Sequence, residues 1–252
     1  MTPARIASPL ALVALAMFAA CAQDGTAACP AGAGPRMVRA GDFCIDRHEV
    51  TNADYARFLD ATGGVPDLRE PPCAWNDTLV PKVWPAPTPS TPEHPVVFVD
   101  WCDSDAYCRW AGKRLCGRIG GGSLALAERR DPRASQWMSA CSGAGRVVYP
   151  YGDAYDRDAC SGDAPTSYFV VVEKNPRCVG AYSDLHDLSG NVHEFEDACD
   201  PNPDVPDGSM DICSDRGGSF KHDASMLACG LTLDQDPRSG QWFDVGFRCC
   251  WP

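Results

Sequence analysis

Arg216-Gly217-Gly218-Ser219-Phe220 and Gly246-Phe247-Arg248-Cys249-Cys250 are the two stretches whose reading decides this fold. Each is a short strand-like run, and a loop of about two dozen residues lies between them. Gly217-Gly218 lets two backbones approach closely, because no Cβ intervenes. The adjacent cysteines can tie the chain end back to earlier elements. The contents of the loop separate an enzyme from a non-catalytic domain.

Outward from that loop, the chain has 252 residues, 44% hydrophobic and 22% charged, which suits one large domain or two small ones. Gly 23 and Pro 22 argue for a loop-rich fold rather than a helical bundle. No internal repeat or second boundary is visible, and cysteines run from end to end, which favours one domain. The net charge of -12 repels phosphate backbones and anionic lipid heads, so nucleic acid is not an expected partner. A well-solvated surface accounts for the charge.

Fifteen cysteines are too many for a reducing cytosol. Arg5 supplies a positive n-region, and Ile6 to Ala20 is an apolar stretch too short for a membrane span. It ends Phe18-Ala19-Ala20-Cys21, the small-residue pattern of a bacterial lipoprotein signal, with Phe18 where leucine is usual. Residues 1–20 are thus read as a lipoprotein-type signal peptide with lipidation at Cys21; a plain secretory peptide cleaved near Ala20 or Ala22 is the other reading. Membrane contact is expected through the lipid anchor only, on an envelope or secreted protein. The remaining fourteen cysteines are an even number, as a disulfide framework requires. No CxxC pair occurs for a metal or redox site.

Residues 21–35 are small, polar and Gly/Pro-rich and read as a tether with an early bridge, Cys29 to Cys44. The domain is placed at 36–252. Met37-Val38 and Phe43-Cys44-Ile45 suggest short strands. Thr51, with Asp54 three residues later, caps a helix that presents Tyr55, Phe58 and Leu59 on one face and stops at Gly63-Gly64. Residues 65–95 are too proline-rich for a regular element. Val96 to Val99 is a buried-strand candidate. Asp100 or Asp103 caps a helix to about Ala111, and Ser135 to Cys141 reads as another. Gly120-Gly121-Gly122 lacks the lysine of a phosphate loop. Asp200-x-Asn202-x-Asp204 resembles the start of an EF-hand, but position 205 is not glycine, so it is read as an acidic surface loop.

The order of motifs resembles the sulfatase-modifying-factor, or formylglycine-generating enzyme, family. The resemblance opens at Phe43-Cys44-Ile45-Asp46-Arg47-His48-Glu49-Val50-Thr51-Asn52 and continues through His94-Pro95-Val96-Val97, Ala106-Tyr107-Cys108-Arg109-Trp110 and Gly112-Lys113-Arg114-Leu115. It resumes at Tyr149-Pro150-Tyr151-Gly152-Asp153, Leu188-Ser189-Gly190-Asn191-Val192-His193-Glu194 and the two C-terminal stretches. Any one block is weak; together, in the family's order, they are specific. The resemblance implies a single compact α+β domain with much irregular backbone, related to the C-type-lectin-like fold. It also implies bridges Cys108–Cys249 and Cys141–Cys229. Nearness in sequence adds Cys160–Cys178 and Cys199–Cys213, and leaves Cys73, Cys102, Cys116 and Cys250 unassigned.

Catalytic members of that family oxidise a cysteine in a Cys-x-Pro-x-Arg segment to formylglycine with O2, using two loop thiols that bind Cu(I). Those positions here are His222 and Leu227. The loop's cysteine, Cys229, is displaced and expected in a bridge, so copper is not expected. Related sulfoxide synthases use a clustered His-x3-His iron site, a pair absent among His48, His94, His186, His193 and His222; these read as ordinary surface or core residues. The family's Ca2+ site maps onto the side chains of Asp187 and Glu194 and the carbonyls of Gly190 and Val192, so structural Ca2+ is expected. A second family site has asparagine where this chain has Cys160. The expectation is a non-catalytic, monomeric envelope domain with a structural role or a peptide, glycan or protein ligand. The alternative is a protein-modifying oxidoreductase making formylglycine, and a secreted lectin-like module is a third idea.

Overall fold

The structure is a computed structural model describing residues 28–67, 72–86, 90–163, 168–231 and 235–252. The signal-peptide reading of 1–20 and lipidation of Cys21 lie outside the described residues.

Residues 28–35, read as tether, are packed. Cys29 is bonded to Cys44, Ala33 packs on the core, and the Lys113 ammonium donates to the Pro35 carbonyl at 2.8 Å. The ordered unit therefore begins before residue 36. The chain then forms β1 (Met37–Ala40) and β2 (Phe43–Asp46), paired antiparallel through a two-residue turn. Gly41 takes φ 69°, the positive φ such turns ask of a first central residue.

Helix α1 (Asn52–Thr62) starts at Thr51 with a complete capping box: Thr51 accepts from the Asp54 N–H while the Asp54 carboxylate accepts from the Thr51 N–H. Asp54 thus does what Glu usually does at this position. Helix α2 (Trp101–Trp110) uses both aspartates that the sequence offered, Asp100 as cap and Asp103 as its reciprocal partner. The two helices meet through aromatic rings. Tyr55 and Tyr107 stack at 5.7 Å, with Phe58 and Phe247 edge-on to Tyr107 at 5.5 and 5.3 Å. Helix α3 (Gln136–Ser142) is capped by Ser135 and stopped by Gly143.

Val96 to Val99 is not a strand. Phe98 has φ 62°, which ends any extended run, and the segment is pinned irregularly by Val96 N–H to Val50 carbonyl and Phe98 N–H to Trp242 carbonyl. The three valines are nevertheless buried, as a strand reading would have had them.

Six further strands complete the fold: β3 (Arg114–Leu115), β4 (His193–Asp200), β5 (Ile212–Arg216), β6 (Gln235–Pro237), β7 (Val245–Phe247) and β8 (Cys249–Trp251). One sheet runs β1-β2-β8-β3; the other runs β6-β5-β4-β7, where β4 and β7 are parallel. Arg248 lies between β7 and β8 and so joins the two sheets. The mixed helices and sheets make the expected α+β fold.

Candidate functional site

Strand β4 organises the site. Side chains alternate along a strand, and in β4 both Glu194 and Glu196 meet groups from the α3 side, while His193 and Phe195 face the other way. Glu194 receives both arms of Arg248, Nε at 2.6 Å and Nη2 at 2.7 Å, and the Trp137 indole N–H at 2.8 Å. Arg248 also donates to the Asp46 and His186 carbonyls, and Glu49 lies 4.0 Å away. Burial works against the Arg248 charge, and Glu194, Glu49 and Asp187 more than restore it. Around one guanidinium stand three buried carboxylates. Burial pushes Asp187 up to about 7, and burial together with the Asp187 and Glu194 charges holds Glu49 well above the carboxylate range.

The turn before β4 has three residues in the left-handed region: Asp187 (φ 60°), Gly190 (φ 75°) and Asn191 (φ 61°). It buckles the loop to its surroundings. Gly190 N–H reaches the Gly217 carbonyl, Phe220 N–H reaches the Asn191 carbonyl, and the Ser189 hydroxyl donates to the Leu227 carbonyl at 2.8 Å. Gly217 and Gly218 are needed for this closeness: a Cβ on Gly218 would stand 2.8 Å from the Met226 carbonyl oxygen.

The calcium expectation does not fit this arrangement. Ca2+ takes six to eight oxygens, but both oxygens of Glu194 already hold N–H donors, and Asp187 Oδ2 accepts the Glu173 N–H at 2.6 Å. Gly190 and Val192 flank Asn191, whose amide bonds to Val170 and Glu49 rather than opening a cage. The sequence shows the carboxylates and Arg248 alike, but only the fold shows that Arg248 fills Glu194. Cys160, at the second family position, is bonded to Cys178.

The fourteen cysteines from Cys29 onward form seven bridges: Cys29–Cys44, Cys73–Cys102, Cys108–Cys249, Cys116–Cys250, Cys141–Cys229, Cys160–Cys178 and Cys199–Cys213. Cys229 therefore carries no thiol.

The thiol positions hold other chemistry. Leu227 is buried against Tyr149 and Ala228. His222 accepts the Ser219 N–H on Nδ1 at 3.0 Å. Its ring stands edge-on to His193, with centroids 4.9 Å apart. His193 Nδ1 is 3.7 Å from Asp215. The two histidines line a cavity of about 290 Å3 with Asp215, Lys221, Asp236, Trp242, Phe243, Asp244 and Val245. In the sequence both histidines read as ordinary residues. The signal that was available is position: His193 lies inside the Gly-Asn block and His222 at a thiol position, so one fold brings them together.

The chain matches the sulfatase-modifying factor enzyme 1-like domain over residues 18–252. It is 31% identical to the formylglycine-generating enzyme of Thermomonospora curvata, covering 77% of this chain and 72% of that enzyme. Identity to the mouse formylglycine-generating enzyme is 25%, over 90% of this chain and 69% of that one. A serine/threonine-protein kinase pkn1 of Chlamydia caviae is 26% identical over 82% of this chain, which spans only 32% of the kinase. Among solved structures, CarF superposes with TM-score 0.55 at 17% identity, covering 88% of this chain and 95% of CarF. PvdO from Pseudomonas aeruginosa gives 0.54 at 21%, covering 82% and 79%. These structures share the fold. The chain belongs to the sulfatase-modifying factor enzyme 1-like family of formylglycine-generating-enzyme-fold domains.

Proposed function

We propose that this chain is a non-catalytic, disulfide-stabilised member of the family, carried as a monomer on a bacterial envelope lipoprotein and serving as a binding domain. The observation behind this reading is the loop: His222 and Leu227 stand at the two thiol positions, and Cys229 is bonded to Cys141. Soft thiolates are what a Cu(I) oxidase needs, and a bridged cysteine cannot supply one. Seven bridges fit an exported protein, and Phe18-Ala19-Ala20-Cys21 supports the lipid anchor.

The experiment is incubation of the oxidised protein with a Cys-x-Pro-x-Arg peptide, Cu(I) and O2, read by mass spectrometry. No formylglycine is expected. Its appearance would overturn the reading and favour the alternative, a protein-modifying oxidoreductase, for which the 31% identity to a formylglycine-generating enzyme speaks. Radiolabelled palmitate incorporated by the wild type and not by Cys21→Ala tests the anchor.

A further inference from the structure

We infer that a cavity between the C-terminal ends of α1 and α2 is a binding site for a small apolar amine, an alkyl- or arylalkylammonium. None of its lining residues belongs to the loop between Gly218 and Gly246. The inference therefore goes beyond the binding reading above and stands or falls without it.

The space follows from the two helices. Residues four apart share a helix face, and α1 presents Phe58 and Thr62 to the cavity while α2 presents Ala106 and Trp110. Ala106 is too small to fill the gap beside the Trp110 ring, which leaves about 300 Å3. The core holds the walls. The Phe58 and Trp110 rings meet at 5.5 Å, and Phe58 also stands edge-on to Tyr55 at 5.2 Å. Leu79 is fixed through its backbone: its N–H donates to the Gly64 carbonyl at 2.9 Å, and its carbonyl accepts the Tyr55 hydroxyl at 2.8 Å. A ligand need not order this lining before it binds. The volume is at the small end for ligand pockets, so it takes one ring or a short alkyl chain.

The mouth sets the charge. Asp67 and Arg109 are its two ionic residues. Arg109 Nε lies 2.8 Å from Asp105 Oδ2, one helical turn back, so those two charges offset each other. Asp67 is exposed and, among the described residues, joins no ion pair. The end of α1 adds to its field. The last-turn carbonyls carry the negative pole of the helix, and no basic residue stands in that turn. Thr62 spends its hydroxyl on the Phe58 carbonyl at 2.8 Å. Val65, 55% exposed, is apolar surface that a ligand covers. An apolar body thus meets Phe58, Leu79, Ala106 and Trp110, and its ammonium meets Asp67. A carboxylate of the same shape faces that acid instead, with Arg109 already paired.

The test titrates the full oxidised, 15N-labelled chain at neutral pH with three probes of one shape: phenethylamine, 2-phenylethanol and 3-phenylpropionate. The readouts are the Ala106 amide and the Trp110 indole N–H resonances, the latter assigned with Trp110→Phe. Phenethylamine is expected to shift both saturably and to bind about three- to fivefold more tightly than 2-phenylethanol, with 3-phenylpropionate the weakest. Asp67→Asn, at an exposed position, should remove that preference and leave 2-phenylethanol binding unchanged. Ala106→Leu fills the cavity and should abolish the shifts while the rest of the amide spectrum is preserved. No saturable shift with phenethylamine, equal affinity for phenethylamine and 3-phenylpropionate, a preference that survives Asp67→Asn, or binding that survives Ala106→Leu would each overturn the inference.

Discussion

Cys249 and Cys250 are consecutive residues of β8, yet they bond to partners on opposite faces of the sheet. Cys249 joins Cys108 of α2 within the aromatic core, and Cys250 joins Cys116 within the second core, beside Trp137. Strand alternation makes this possible: neighbouring side chains point to opposite faces.

The two bridges are therefore redundant as chain constraints. With Cys116–Cys250 intact, Cys108–Cys249 closes a ring of only about ten residues, although it spans 141 in sequence. Removing either pair alone is expected to cost about 2–3 kcal/mol, and removing both to cost clearly more than the sum. Urea unfolding of the two double-serine variants and the quadruple variant measures this. Strict additivity would show that the bridges do not share a loop.

Glu194 and Arg248 should behave as a buried pair. Glu194→Gln or Arg248→Met leaves an uncompensated charge and is expected to lower stability by about 3–5 kcal/mol. Adding a calcium chelator to the wild type is expected to leave the melting temperature unchanged. A drop on chelation, abolished in Asp187→Ala, would restore the calcium site.

The buried acids set a pH dependence. Burial raises Asp187 to about 7, Glu196 to about 7, and Asp46, Asp100 and Asp105 to about 6. A raised carboxylate pKa means the native state holds protons that the unfolded chain has released. These groups therefore contribute stability that is full below about pH 4 and is lost as pH rises towards about 7. Asp187→Asn keeps an acceptor for the Glu173 N–H and removes one titration. Its stability is expected to fall less than the wild type's between pH 5 and pH 8. Parallel melting curves across that range would contradict the assignment.

Two glycines with similar backbones should differ. Gly190 (φ 75°) would place a Cβ 2.1 Å from the Ser161 carbonyl oxygen, while Gly112 (φ 73°) faces open space. Gly112→Ala is expected to cost about 1–2 kcal/mol from backbone strain alone. Gly190→Ala must also move a backbone and should cost well above about 2 kcal/mol or prevent folding. Thermal melts of the two variants make the comparison.

What was legible in the sequence was mostly local. The caps Thr51 and Asp100 act within three residues, so spacing alone located α1 and α2. The valine run 96–99 was misread because burial and extension look alike in sequence, and nothing there announced the left-handed Phe98. The filling of Glu194 by Arg248 was invisible for another reason: 54 residues separate them, and only the join between the two sheets sets the contact. The His193–His222 pair depends on the same long-range closure, although both positions could be flagged by their blocks.

The bridge pattern also has a mechanical meaning. Let tension be applied between Cys29 and Trp251. It crosses from Cys29 to Cys44, from Cys73 to Cys102 and from Cys108 to Cys249, so only residues 44–73 and 102–108 bear load. About 35 residues can be drawn out, on the order of 120 Å at full extension. Residues 109–248, with the whole histidine cavity, hang as a slack loop outside the force path. A pull on the two ends of this domain would thus leave the segment that carries His193 and His222 untouched until a reductant cuts the bridges.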